Sequence, residues 1–530
     1  MSRRQTTTFL PFFGPEGIGG GLSSENPIVV STSKMVVADN ILVDTVLSRK
    51  KRGGLSRYNT GTQYLTASYP RTGTMIGAAP IRGGVEFFRR NLSGVEISDV
   101  FVHQGSAVWS IEDRNTIGIN RTGTAVLSTN GVPSYQVFND TLYFTTTTTS
   151  DLYRKWDGNT AAITVATAPA DGPGKYLRAH QGRMWMAGNP DFPFRLYYSS
   201  ALEPEQWGNT PPFDGGSLDL IEDGEPAGIT AIFPSFQGRL YVSTRRAIYE
   251  ITGFEPADFV IQTVSRGVGC LAHSAVVAAA NDVFFASDRG IHSLRQIESG
   301  RITETQFLSR DIQRLWRDLV NPAAYSQVNL AYDENINCVK VSVPTSGTTQ
   351  NETVLCYNIE FGIWMAHQKV FARSMWPVLV GNAQKIAYGR EDGEIVVSED
   401  ANKTDLGQTY TTRFTTGIIY GGQDFGVQKL FKSITVLCSS ATPSSLDITW
   451  DIDGIRGGTR SVQLFAAGDK LGTTLVLGSS RLGVGQYVPQ TVTMNDIGFG
   501  IQITVSMPGN SDIEFYGMIL EVEDANPQFS

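Results

Sequence analysis

The chain is 530 residues long, 41% hydrophobic and only 18% charged, with 55 glycines; that much apolar side chain offsets chain entropy and excludes a disordered protein. Its 43 basic and 51 acidic residues leave a net charge of −8, which argues against a protein whose main ligand is a phosphate backbone held on a basic face. A mildly acidic surface can instead line a path along which DNA slides, since like charges do not adhere.

Abundant Gly, Thr and Ser between short Val/Ile/Tyr/Phe runs point to an all-β chain with many turns. Residues 1–60 read as an N-terminal arm. Met1 to Thr8 are polar and lead into Pro11-Phe12-Phe13-Gly14-Pro15, without the apolar core of a signal peptide. Gly17-Ile18-Gly19-Gly20-Gly21 lacks the preceding strand and the Gly-Lys-Ser/Thr ending of a phosphate loop. The arm closes on a basic cluster, Arg49-Lys50-Lys51-Arg52. It reads either as a solvated turn or as a contact with an acidic neighbouring subunit or a passing DNA backbone.

A repeat occupies residues 61–403. His180-Gln181-Gly182-Arg183-Met184-Trp185 matches Phe236-Gln237-Gly238-Arg239-Leu240-Tyr241, a short turn followed by a strand with an aromatic in the same place. Weaker copies begin at Val102, Val137, Ala280, Asp333 and Asn382, at a spacing near the ~40–50 residues of propeller blades. In this alignment His103 and His180 share one repeat position. Further strands follow at Leu152–Trp156, Arg195–Tyr198, Ala247–Ile251, Gly290–Leu294, Val354–Asn358 and Glu394–Val397. The expected architecture is a β-propeller of about six or seven blades, with two stacked sandwiches as the competing arrangement.

One helix interrupts the repeat: Ser309 as N-cap, Ile312, Leu315, Trp316 and Leu319 on one face, and Asn321-Pro322 as the stop. It is expected to pack between two blades, and its arginines Arg314 and Arg317 are candidates for docking a partner. The longest apolar stretch, Ala275 to Ala280, is too short to cross a bilayer, so no membrane insertion is expected. After residue 403 the pattern changes. Candidate strands at Thr409–Thr416, Gln428–Leu437, Leu446–Ile452, Ser461–Phe465, Thr491–Met494, Ile501–Val505 and Glu514–Val522 predict a C-terminal β-sandwich over 404–530.

Catalytic chemistry is not evident. Ser287-Asp288-Arg289-Gly290 has the wrong spacing for the Ser-x-Asp-x-Gly-x-x-Trp boxes of sialidase-type propellers, and Trp156-Asp157-Gly158 is only a turn. His103, His180, His273, His292 and His367 form no metal set, and neither H-E-x-x-H nor G-x-S-x-G occurs. Asp333-Glu334-Asn335-Ile336-Asn337 alternates oxygen ligands but lacks the Gly and distal Glu of a calcium loop. Cys270, Cys338, Cys356 and Cys438 include no CxxC, which excludes a disulfide framework or Cys-based zinc and predicts buried thiols; Cys338 and Cys356 are the one pair that could face each other across strands. No catalytic residue, metal ligand or cofactor site is therefore assigned, and an interaction protein is expected rather than an enzyme.

A family resemblance sharpens that expectation. Asp223-Gly224-Glu225-Pro226-Ala227-Gly228-Ile229-Thr230-Ala231-Ile232, then Gln237–Val242 and Ala247–Gly253, resemble propeller-bearing tail proteins of bacteriophages. So do Ser265–Cys270, Asn281–Phe285 and Asp288–Ile291. Arg52-Gly53-Gly54-Leu55 resembles their early Arg-Pro-Gly-Leu stretch, with Gly in place of Pro, and Gly498–Ile503 with Phe515–Val522 looks like their terminal β domain. The resemblance is to the tail nozzle, or packaged-DNA stabilisation protein, of short-tailed phages. It implies a virion protein made in the host cytoplasm and forming a homo-oligomeric ring, commonly of six copies. The ring would sit below portal and adaptor proteins, meet tail fibres or spikes, retain the genome and pass double-stranded DNA on infection. Two other readings remain. One is a tail-fibre or receptor-binding protein holding host glycan on Trp109, Trp156, Trp185 or Trp207, although Trp109 and Trp185 alternate like core residues. The other is a propeller glycosidase or lyase.

Overall fold

Two-residue turns organise the middle of the chain. Asn139–Asp140 (φ 46° and 55°), Gln181–Gly182 (48° and 70°), Gln237–Gly238 (51° and 75°) and Ala280–Asn281 (46° and 58°) all place both residues in the left-handed region. That is the type I′ geometry whose twist matches paired strands. Each joins the first two strands of a sheet, closing the pairs Phe138–Thr141, His180–Arg183, Phe236–Arg239 and Ala279–Asp282.

The computed structural model describes residues 5–11, 21–28, 34–43, 48–58, 79–90, 94, 96–112, 114, 118–220, 228–296, 303–399, 403–420, 426–440, 444–464, 489–507, 509 and 512–525. The chain divides into two compact units. One comprises 57–354 and 369–397; the other comprises 1–56, 355–368 and 398–530.

The first unit is a seven-bladed propeller. Its inner strands are Ile81–Arg90, Pro133–Phe138, Tyr176–His180, Ala231–Ile232, Val276–Ala279, Asn329–Asp333 and Ala372–Val380, opening blades 1 to 7 in chain order. Blades 1 to 5 are four-stranded antiparallel meanders. The last inner strand packs on the first, so the ring closes. The entering chain also clips onto blade 7, where Tyr58 N–H donates to the Ile395 carbonyl at 2.8 Å and Arg57 pairs with Glu394 at 2.9 Å.

The cores lie between blades rather than inside them. Phe87, Phe101, Leu142, Phe144 and Trp156 fill the space between blades 1 and 2; Trp185, Leu196, Leu240, Val242 and Tyr249 do so between blades 3 and 4. Burying each such side chain contributes on the order of 1.5–3 kcal/mol. Closure depends on two glycines in the first inner strand. A Cβ on Gly83 would lie 2.5 Å from Pro133 Cγ of blade 2, and one on Gly84 would lie 2.4 Å from the Trp376 ring of blade 7.

The expected helix is present as a short turn, Arg310–Ile312, followed by Gln313–Leu319. Ile312 and Trp316 are buried while Arg314 and Arg317 are exposed, as the periodicity predicts. Ser309 makes no side-chain cap; its Oγ accepts from Ile291 N–H at 2.8 Å. Among the described residues no helix is long and apolar enough to cross a membrane.

The second unit is a two-sheet sandwich. One sheet runs Ile41–Val43, Arg49–Lys51, Ile513–Asp524, Lys429–Ser440, Gln490–Gly498, with Gln5–Pro11 also pairing to Ile513–Asp524. The other runs Ile363–His367, Met35–Asp39, Thr412–Thr416, Ile501–Met507, Ser444–Ile452, Ile455–Leu464. Alternate residues such as Ile434, Val436, Ile448, Trp450, Ile503 and Val505 are buried. Phe414 and Phe515, one from each sheet, meet edge to face at 5.0 Å. All seven expected C-terminal strands occur; Phe465 lies outside the described residues. Residues expected to form a separate arm instead supply strands to both sheets.

The repeat alignment needs one correction. Gln104 ends the second strand of blade 1, opposite Ala107, and Gly105–Ser106 joins it to the third, whereas Gln181–Gly182 joins the first and second strands of blade 3. His103 and His180 are therefore not structural equivalents.

Candidate functional site

The basic cluster does not form a surface. Arg49 and Lys51 are fully buried, Arg52 is 3% exposed and Lys50 is half-buried. Arg49–Lys51 is a strand paired with the C-terminal strand, Arg49 opposite Phe515 and Lys50 opposite Glu514. Lys51 Nζ donates to the carbonyls of Tyr410, at 2.8 Å, and of Gly509. Burial, reinforced by the neighbouring Arg52, pushes its pKa down to about 8. The Arg52 guanidinium donates to both oxygens of Asp405 (2.9 and 2.5 Å) and to Asn40 Oδ1 (3.0 Å), and lies 4.0 Å over the Tyr410 ring. Neither a solvated turn nor an exposed contact describes these residues. They brace the interior of the sandwich unit.

In the propeller, polar side chains converge where the inner strands begin. His273, in the turn leading into blade 5, lies with Nε2 3.0 Å from Ser134 Oγ of blade 2. Its ring stacks on Tyr176 of blade 3 at 5.2 Å. Nδ1 accepts from the Ile232 backbone N–H of blade 4 at 3.3 Å.

A serine hydroxyl beside an imidazole invites a nucleophile–base reading, but the hydrogen bonds oppose it. An N–H can only donate, so Nδ1 is the acceptor and Nε2 carries the proton, donating towards Ser134. Ser134 Oγ also accepts from Leu177 N–H at 3.0 Å, and its own proton points to the Leu177 carbonyl at 3.4 Å. Burial and then Arg178 hold the His273 pKa well below 6.5. The pair is a brace across blades 2 to 5. Nothing local in the sequence links His273 to a serine 139 residues away.

Three other histidines follow the same pattern, while His103 is fully buried with no hydrogen-bond partner for either ring nitrogen among the described residues. His292 Nε2 meets Ser287 Oγ at 2.9 Å, and its ring lies between Phe285 and Phe307. His180 Nδ1 bonds Ser235 Oγ. In the sandwich unit, His367 Nε2 lies 3.2 Å from the Ile41 carbonyl, which can only accept, so Nδ1 accepts from the Cys356 thiol at 3.4 Å. All four cysteines are buried thiols.

The alternating oxygens at 333–337 are likewise committed. Asp333 Oδ2 pairs with buried Lys340 at 2.6 Å, and Asn337 Oδ1 accepts from Tyr332 O–H at 3.0 Å. Among the described residues no group of three or more His, Cys, Asp or Glu is arranged to hold a metal ion.

None of the eight tryptophans is exposed. Trp156 and Trp185 are 1% accessible, while Trp109 and Trp207 are half-buried, the latter with its indole N–H on the Thr167 carbonyl at 2.7 Å.

All seven seams between blades carry a hydrogen bond. Ser374 Oγ to the Ile81 carbonyl (2.9 Å) closes blade 7 on blade 1, and Arg82 Nε to the Thr129 carbonyl (2.7 Å) ties blade 1 to the segment entering blade 2. Leu177 N–H to Ser134 Oγ joins blades 2 and 3, and Gln181 Nε2 to the Gly238 carbonyl (3.0 Å) joins 3 and 4. Thr230 Oγ1 to the Cys270 carbonyl (2.7 Å) and Ser274 Oγ to the Val328 carbonyl (2.8 Å) link the segments entering blades 4, 5 and 6. Lys340 Nζ to Tyr388 Oη (2.8 Å) joins blades 6 and 7.

No family model and no curated protein matches the chain. Among solved structures, the WD40 β-propeller domain of Doa1 is similar at 12% identity, covering 62% of this chain and 95% of that one with a TM-score of 0.38. The computationally designed Ika8 protein is similar at 11% identity, covering 62% and 99% with a TM-score of 0.34.

Proposed function

We propose that the chain is a structural virion protein, a subunit of the tail nozzle of a short-tailed bacteriophage. The observation that carries this reading is the use of polar side chains to bridge the propeller's seams. A ring of copies that must hold packed DNA needs rigid wedges joined by one heterologous interface repeated by rotation. A hydrogen-bonded propeller and a two-sheet sandwich supply such bodies.

The resemblance supports the same reading over 228–232, 237–242, 247–253 and the terminal strands; its opening residues, Asp223–Ala227, lie outside the described residues. In this role the neighbours are further copies, a portal or adaptor above, and fibres or spikes outside, with double-stranded DNA passing through the ring. A glycan-binding role would use an exposed aromatic platform, and all four tryptophans nominated for it are buried or half-buried.

Electron cryomicroscopy of purified particles tests the proposal. The expected result is propeller and sandwich density in each subunit of a ring at the portal vertex. Such density at fibre tips, or no such density in the particle, overturns it.

A further inference from the structure

We infer that one end of the propeller, across blades 4 to 6, is a binding surface for the phosphodiester backbone of a nucleic acid. The surface is built from arginines on neighbouring turns. Arg245 and Arg246 form the turn between the second and third strands of blade 4, and Arg266 ends its fourth strand. Gly267 N–H bonds the Arg246 carbonyl at 2.6 Å, which places Arg246 and Arg266 side by side.

The Arg245 guanidinium sits 5.1 Å over the ring of Tyr325, and Tyr325 in turn feels the charge of Asp288. Beside Asp288, Arg289 forms the equivalent turn of blade 5, and Gly290 lies against Ser309. Ser309 leads directly into Arg310, Arg314 and Arg317. All of these arginines are exposed except Arg245, which is half-buried.

Among the described residues, seven arginines thus share this end with four carboxylates, Asp288, Asp311, Asp318 and the half-buried Glu352, on a chain whose net charge is −8. Asp318 lies 3.6 and 3.7 Å from Arg314 and Arg317 in pairs too exposed to neutralise them firmly. All seven of these cations are arginines, whose planar fork suits phosphate.

The surface also lacks an apolar centre. Between residues 245 and 328 the exposed large hydrophobics described are Phe254 and Val260, at the opposite ends of their strands from Arg246 and Arg266. Protein partners normally bury an apolar core, whereas nucleic-acid interfaces are polar and strongly positive. The surface therefore fits a polyphosphate better than an acidic protein. Binding of this kind is independent of base sequence and steeply salt-dependent. The inference does not depend on the chain being a virion protein.

The test uses the full chain and a labelled random-sequence duplex of about 30 bp, titrated by fluorescence anisotropy from about 50 to 200 mM salt. The wild type should bind at low salt, and the triple variant Arg246→Ser, Arg289→Ser, Arg314→Ser should bind at least about tenfold more weakly, with the log–log salt slope reduced by about 3. The matching Arg→Lys triple variant should keep the slope, which separates lost charge from lost fold. The control Arg413→Ser, an exposed arginine of the sandwich unit, should bind like wild type. No duplex binding at the lowest salt, equal binding by the serine triple variant, or tighter binding of polyglutamate than of duplex each overturns the inference.

Discussion

His273 Nε2 and Ser134 Oγ, 3.0 Å apart, connect the entry of blade 5 to the inner strand of blade 2. The contact requires a neutral imidazole, because the Ile232 N–H occupies the other nitrogen. Such histidines recur through the propeller, and they give its stability a pH dependence.

Burial pushes His103, His180 and His292 down to about 4, and His273 well below 6.5. Above about pH 6.5 these rings are neutral in both folded and unfolded chains. Below it, the unfolded chain binds protons that the folded one refuses. Stability is then lost at up to about 1.4 kcal/mol per pH unit for each histidine, until His103, His180 and His292 titrate near pH 4 in the folded chain. Asp282, pushed up to about 6, and Asp99, also raised, act in the opposite direction, two groups against four. Urea unfolding at pH 7, 6 and 5 should show a falling midpoint, and an unchanged midpoint contradicts this account.

Ring closure should be sensitive at Gly84. With Trp376 already 2.4 Å from where a Cβ would sit, Gly84→Ala should cost about 1–3 kcal/mol through overpacking. Chemical denaturation would measure it, and pairing the change with Trp376→Phe should recover part of the loss.

Lys340 and Asp333 are a buried pair, 2.6 Å apart, at the seam of blades 6 and 7. Lys340→Met leaves the carboxylate in the interior without its cation and should cost about 3–5 kcal/mol. Adding Asp333→Asn should return part of that, because the uncompensated charge is gone. A single-variant cost below about 1 kcal/mol would show that water reaches the pair.

Arg52 makes a parallel case in the sandwich unit. Arg52→Ala removes two bonds to Asp405, one to Asn40 and the stack on Tyr410, and should destabilise that unit by about 3–5 kcal/mol. A surface docking role predicts the reverse, unchanged stability with lost partner binding. Thermal unfolding of the variant distinguishes the two.

Much of the architecture can be read in the residues. Type I′ turns such as Gln181–Gly182, and third strands such as Arg195–Tyr198 and Ala247–Thr252, carry local signals. The helix face of Ile312 and Trp316 does too. The phase of blade 1 does not, since the same His-Gln-Gly string places Gln104 in a strand and turns at Gly105–Ser106, one residue later than at Gln181–Gly182. The N-terminal strands escape for another reason. Ile41–Val43 and Arg49–Lys51 have three residues each, too few for a period, and Arg49 pairs with Phe515 at the far end of the sequence. Charge composition also misleads in Arg49-Lys50-Lys51-Arg52, where long-range carbonyls and Asp405 satisfy cations that locally look solvated. The Ser134–His273 brace has no local signature at all.

We propose that this chain is a ring-forming virion protein. Quantitative mass spectrometry of purified particles, scaled to the major shell protein, tests it most directly. The account predicts about six copies per particle, one closed ring of heterologous contacts. Absence of the chain from the particles would contradict it.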